Sequence, residues 1–428
     1  MKKQTILAVI LFFITRLFAQ DLIIKNVNIL PMTSDTVLKN KSVLIQNGKI
    51  KEINEYKKLT KPGGIKIING AGKHLMPGLS DMHVHLADEN KIERLLLSNI
   101  AAGVTQIRIM NGSASQTDLR KKLKNNAHII RPNIHYSHLV RRTETFTEFG
   151  ADSLMQEIQN SGIDFIKLLG LSNEETFDNL TKAANKYHII ICGHYPVYQK
   201  DGKSTMISME KVAKSNFKSI EHLAGYIWLQ EEELENAMKL TKENNIYNCP
   251  TLDWDIMAYD LQFPDAYRNR LTYRLLPKSI TGNWESDYAA TVQKAGGKEK
   301  VMESRDKYKA NFARKLNVLK QLYENRCLLL IGSDAGSAFQ ADGFNVYEEM
   351  IHWKNAGIDN FTILKSATVI PSLFFNEQNM WGTIEAGKNA EMIILKKNPL
   401  EDIKNIAEIE TTIVGGKLYN NKELIRKL

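Results

Sequence analysis

An α/β architecture, with a β-rich unit built from both chain ends, is what these 428 residues predict. Three observations carry it. Short apolar runs alternate with helix-like segments through the middle of the chain, roughly 76–375. Turn-bounded, strand-like segments fill both ends. The 43% apolar and 25% charged fractions are those of an ordinary globular protein, which excludes a disordered or collagen-like chain.

Residues 1–19 have the make-up of a secretory signal peptide. Lys2 and Lys3 form a positive n-region, Ile6 to Thr15 a mostly apolar h-region, and Leu17-Phe18-Ala19 a cleavage box. The apolar run is short for a membrane span, no Cys stands near the cleavage point, and no later stretch reaches spanning length. The expectation is export, to the periplasm or the medium, without a stable membrane anchor. Residues 20–75 then read as short strands with Asn47-Gly48 as a hairpin turn. Residues 376–428 have the same character, with Gly415-Gly416 as their turn. Together the two segments predict one small composite β-sandwich domain.

Between them, eight candidate strands lie near 76–82, 104–110, 128–136, 163–169, 188–193, 218–221, 245–250 and 327–333. Eight β/α units in about 300 residues predict a (β/α)8 TIM barrel over 76–375. Residues 252–326 are too many for one unit. They read as a helical insertion, rich in Tyr, Trp and Arg, that follows strand seven and roofs the mouth.

The formal charge is +9, from 57 Lys and Arg against 48 Asp and Glu. Three cations leave with the signal segment, which brings the mature chain to +6. The excess is scattered, with no basic run interleaved with aromatics, so no nucleic-acid partner is expected. Cys192, Cys249 and Cys327 are far apart and fit no C-x-x-C or zinc-finger spacing, so buried free thiols are expected.

The chemistry-bearing residues fall at strand ends. The run MPGLSDMHVHLAD closes strand one with His83 and His85. Residues i and i+2 share a strand face. Both imidazoles therefore point into the barrel at its C-terminal end, and they suit a divalent ion such as zinc. The run GIDFIKLLG puts Lys167 inside an apolar strand, where an unpaired charge is costly. His194 ends strand five, His222 strand six and Asp334 strand eight. Singly, each has an ordinary structural reading: a solvated His, a snorkelling Lys, an Asp helix cap. All six together, at positions a barrel focuses on one point, predict a metal site.

The run PGLSDMHVHL, followed by Lys167, His194, His222 and Asp334 in that order, resembles the amidohydrolase superfamily. The flanks VLIQNGKIKEI and GTIEAGKNAEMIILKKNPLEDI resemble its sandwich, so the likeness runs from about residue 22 to 420. It is closest to the prolidase-like and Xaa-dipeptidase-like branch, whose members carry two metals bridged by a carboxylated lysine. The resemblance implies that His83, His85 and Asp334 hold the more buried ion and that His194 and His222 hold the second. Lys167, carboxylated by CO2, would bridge both. It also implies two divalent ions, zinc by preference, a hydroxide nucleophile between them, and Asp334 as the proton carrier.

Arg108, His135, His138 and Tyr226 are the candidate substrate contacts. Three departures from the family pattern stand out. Ile109 replaces the Asp of the relatives' GVTTVRD, Tyr347 stands where many relatives have a His, and the insertion is larger than in the relatives. The departures around strand eight and the insertion fall on the substrate side.

The expected function is hydrolysis of an amide, most simply a dipeptide or an N-acyl amino acid. A cyclic amide, lactone or ester is the alternative for the same site. A mononuclear deaminase is disfavoured, because neither His194 nor His222 is followed by Glu in a His-x-x-Glu element. A non-catalytic binding protein is disfavoured because all six ligands are kept. The expected partner is a small carboxylate-bearing molecule, and the family likeness implies self-association.

Overall fold

Gly78 divides one apolar run between two sheets. His74–Pro77 belongs to a sheet built from the chain ends, where Pro77 pairs with Met392, while Leu79–Val84 is the first barrel strand. A Cβ at Gly78 would sit 2.3 Å from Thr105 Oγ1, so only glycine lets the two layers approach here. The structure is a computed structural model and describes residues 21–86, 91–112, 115–126, 128–258, 266–336 and 339–428. The signal-peptide reading of residues 1–19 lies outside the described residues.

The barrel strands are Leu79–Val84, Val104–Ile109, Asn133–His135 continuing as Ser137–Val140, Phe165–Leu168, Ile190–Gly193, Phe217–Glu221, Tyr247–Cys249 and Leu328–Leu329. Each pairs in parallel with the next. The barrel closes where Val84 bridges Ala335 and where the Asp334 amide donates to the His83 carbonyl at 2.9 Å. Strands one, two and four are buried along their length, as a sheet covered by helices requires.

The third strand lies further along the chain than expected. The apolar pair Ile129-Ile130 precedes Pro132, which cannot donate within a central strand, so the strand starts at Asn133. It is interrupted at Tyr136: its first half pairs with strand two and its second half with strand four.

The end sheet runs in the order Lys417–Asn420, Ile409–Val414, Met392–Leu395, His74–Pro77, Leu22–Ile29, Leu38–Gln46 and Lys49–Asn54. Lys66–Asn69 pairs with Leu22–Ile29 off this path. Asn47-Gly48 and Gly415-Gly416 turn its hairpins with positive φ at all four residues, the conformation a type I′ turn requires. The chain ends thus form one sheet, and its core is aliphatic, with Leu22, Ile24, Val43, Ile45, Met392 and Ile413 among its members.

The segment after strand seven is helical, with Leu252–Ala258, Leu271–Leu275, Lys278–Ala295 and Lys298–Glu324. A buried polar network ties its start to the barrel. Asp253 accepts from Arg270 at 2.8 Å and lies 3.1 Å from His352 Nε2, and its amide donates to Glu349 at 2.9 Å. The first helix of the segment is therefore held in a fixed attitude over the mouth. Among the described residues no helix is long and apolar enough to cross a membrane.

Candidate metal centre

Two backbone features aim the strand-end side chains. Gly193 has φ 140°, and a Cβ there would lie 2.1 Å from the Leu168 carbonyl oxygen, so glycine is needed just before His194. Strand six presents Ser219 and Glu221 to the interior by its two-residue alternation. Simple alternation would send His222 outward. Instead His222 and Leu223 adopt φ 63° and 55°, which swings His222 in beside Glu221. Thr251 (φ 50°) and Asp334 (φ 47°) are likewise left-handed, at the ends of strands seven and eight. For non-glycine residues such backbone costs about 1–3 kcal/mol each and persists where the surroundings enforce it, often at functional sites.

The structure brings all six expected ligand residues to one cavity of about 670 Å³ at the C-terminal end of the barrel. His83 Nε2 and His85 Nε2 are 3.3 Å apart, and Asp334 Oδ1 lies 3.7 and 3.4 Å from them. One ligand atom from each of these three residues falls within 4.8 Å of the other two. The ring centroid of His222 is 4.8 Å from that of His83 and 4.8 Å from that of His194. His222 Nδ1 lies 2.6 Å from Thr251 Oγ1. Lys167 is buried, and among the described residues it makes no ion pair within 4.0 Å.

Burial lowers the basicity of every imidazole here. His83 and His222 fall well below the ordinary value, His85 to about 4 and His194 to about 3, with the Lys167 charge adding to each. All four rings are thus neutral at pH 7 and offer lone pairs. Burial also lowers Lys167 and raises Asp334 to about 8. Neutral imidazoles around a carboxyl group, with a lysine short of partners in the same cavity, form a donor set that fits divalent cations.

Below this layer sits a residue that sequence reasoning missed. Glu221 is buried, its Oε2 2.9 Å from His83 Nδ1. A carboxylate can only accept, so the Nδ1 proton points down and the Nε2 lone pair up into the cavity. Arg108 closes the support. Its Nη2 donates to both Glu221 oxygens at 2.8 Å, its Nη1 to Ser219 at 2.9 Å and its Nε to the Met82 carbonyl at 2.5 Å. Burial would raise the Glu221 carboxyl, but Arg108 and Lys167 outweigh it and hold it below its ordinary value. The usable signal was the position of Glu221 directly before His222 on an inward-facing strand.

The expected substrate contacts fare differently from the ligands. Arg108 is fully buried and spent on Glu221, so it is scaffold and not a substrate contact. Tyr226 is buried with its hydroxyl 2.8 Å from Thr241, while its neighbours Ala224, Ile227 and Trp228 line the cavity. His135 stacks on Phe375 at 3.5 Å in the lower half of strand three, away from the mouth. His138 alternates with Leu139, and it is Leu139 that lines the cavity. Tyr347 is buried and donates to the Ala102 carbonyl at 2.8 Å. The cysteines are free and buried.

The insertion supplies the other walls: Trp254, Asp255, Asn311 and Lys315. An adjoining cavity of about 600 Å³ shares His194, His222 and Trp228 and adds Arg142, Tyr195 and Ser204.

Comparison with known proteins agrees with this geometry. Residues 266–419 match the model of the Amidohydrolase family. The fold is similar to that of a Xaa-Pro dipeptidase solved with bound methionine in its active site. That likeness has a TM-score of 0.69 and 18% identity, and covers 94% of this chain and 100% of that one. A bottromycin amidohydrolase gives a TM-score of 0.70 at 17% identity over 95% of this chain and 88% of that one. By sequence, 68 residues are 44% identical to a 5'-deoxyadenosine deaminase of Methanosarcina acetivorans; this is 16% of the chain, and it spans only 15% of that relative. The family match covers about a third of the chain, and the whole-chain likeness shows that the fold is shared with these proteins.

Proposed function

We propose that this protein is a binuclear metal-dependent hydrolase of amide bonds, acting on a dipeptide or an N-acyl amino acid. The observation that carries the reading is the convergence of His83, His85, Lys167, His194, His222 and Asp334 on one cavity. In this reading His83, His85 and Asp334 hold one divalent ion, zinc by donor chemistry, and His194 and His222 the other. Lys167 lines the same cavity, and burial lowers its basicity. As a free amine it would add to CO2 with loss of a proton, and the resulting carbamate would supply an anionic oxygen donor for the ions. When bound, the ions would polarise the scissile carbonyl and acidify water.

The chain's own groups supply the rest. Asp334, held beside His83 and His85 at the end of strand eight, would take a proton from the attacking water and return it to the leaving nitrogen. Trp228 and Trp254 wall the cavity and limit water. Arg142 in the adjoining cavity is placed to pair with a substrate carboxylate. The N-terminal pattern supports export of the mature enzyme.

Metal analysis of protein made in zinc-supplemented medium, coupled to a dipeptide library screen, tests the reading. About two metals per chain with turnover of a dipeptide subset is expected. Two metals with turnover only of lactones or esters would move the assignment to the alternative bond class.

A further inference from the structure

The cavity wall contributed by the insertion carries a polar group that the mechanism does not use. Asp255, on the helix Leu252–Ala258, is 2% exposed, and Lys315, on the helix Lys298–Glu324, is 5% exposed. Lys315 Nζ donates to Asp255 Oδ2 at 2.6 Å. The other oxygen, Asp255 Oδ1, is buried and accepts no hydrogen bond among the described residues. Both side chains line the same cavity as the histidine cluster. Asp255 is also near enough to Asp334 for its charge to raise that carboxyl further.

A buried carboxylate with one oxygen taken and one open is a costly arrangement unless something occupies the open side. The complementary occupant is a charged N–H donor. In a dipeptide, the α-ammonium nitrogen is fixed about 2.5 Å from the carbonyl carbon that reacts, by the N–Cα and Cα–C bond lengths. An acceptor on the cavity wall beside the metal-binding cluster is suited to that group. N-acyl amino acids, lactones and simple esters carry no cation there.

We propose that Asp255 Oδ1 accepts from the free α-ammonium group of the substrate, so that the site selects unblocked dipeptides over N-acyl amino acids. Lys315 holds Asp255 in place and its charge opposes the rise that burial causes in the Asp255 carboxyl. The inference rests on the amide-hydrolase reading and narrows its substrate class. It also gives the insertion a purpose: both residues come from it, and the Asp253–Arg270 network fixes the helix that carries Asp255.

The test pairs alanyl-Xaa dipeptides with the matching propionyl-Xaa compounds, which differ only by loss of the amine. On the zinc-loaded full chain, kcat/KM should favour the dipeptides by about 30-fold or more, the range of one charge-assisted hydrogen bond. In Asp255→Asn the ratio should collapse to about threefold or less. The double variant Asp255→Asn with Lys315→Gln removes both charges together, and should lose the ratio without leaving a buried lysine unpaired. Absence of discrimination in the wild type, or its survival in both variants, overturns the proposal. If the metal-loaded protein turns over neither series, the hydrolase reading falls. Calorimetric binding of alanyl-leucine against propionyl-leucine then decides Asp255 separately. Selective binding of the dipeptide that is lost in Asp255→Asn upholds it, and equal or absent binding of the two overturns it.

Discussion

Two layers of the barrel interior lie one above the other, and both hold buried charge. In the lower layer Arg108 donates to Glu221, Ser219 and the Met82 carbonyl, and Glu221 in turn meets His83. In the upper layer Lys167 is buried without an ion pair among the described residues, and four neutral imidazoles surround a raised carboxyl group. The lower layer is satisfied by the protein itself. The upper one is complete only with something added. Buried charge therefore has opposite meanings a few ångströms apart: a closed network marks scaffold, and an open one marks the site.

The sharpest break falls on the open layer. Lys167→Ala should lower bound metal below two per chain and cut turnover by about 10³-fold or more, several kcal/mol of metal-assisted stabilisation. Full turnover with both metals retained in that variant would end the bridging assignment. The closed layer should fail differently. Arg108→Met leaves Glu221 buried and unpaired and should destabilise folding by about 3–5 kcal/mol in denaturant titration. If Arg108 instead served substrate, KM would rise while stability held.

A link between site and frame comes next. Thr251→Val keeps the shape but removes the partner of His222 Nδ1, and should weaken the more loosely held metal by about 10- to 100-fold in chelator competition.

The smallest effect is expected far below the mouth, where Glu391 is buried and accepts from Asn133 at 2.6 Å and from Gln106. Burial lifts its carboxyl to about 7. The folded chain thus keeps a proton that the unfolded chain releases near the ordinary Glu value of about 4.3. Stability should fall as pH rises between these values, and Glu391→Gln should flatten the slope in pH-dependent melting.

Much of the upper layer was legible because its signals are local. His83 and His85 share a face by strand periodicity, and His194 and Asp334 each close an apolar run. The lower layer was not legible in the same way. Arg108 and Glu221 are 113 positions apart, and nothing local to Arg108 distinguishes a substrate contact from half of an ion pair. His222 reached the right place for a reason strand periodicity does not contain, a left-handed turn after Glu221. The barrel itself followed from counting strands. The register of strand three did not, because Pro132 displaced the start of pairing from the apolar run that advertised it. Asp255 and Lys315 were hidden in helices whose sequence shows only that they are helical.

The strand shared across Gly78 has a consequence for how the chain is made. Pro77 and Met76 find their partners in Met392 and Ile393, near the far end of the chain. One edge of the segment that leads to His83 and His85 is therefore covered only after almost all of the polypeptide has left the ribosome. So high a contact order makes assembly of the first histidine pair a late, slow event. Until then one edge of the divided run stays unpaired, the kind of surface through which partly folded chains associate.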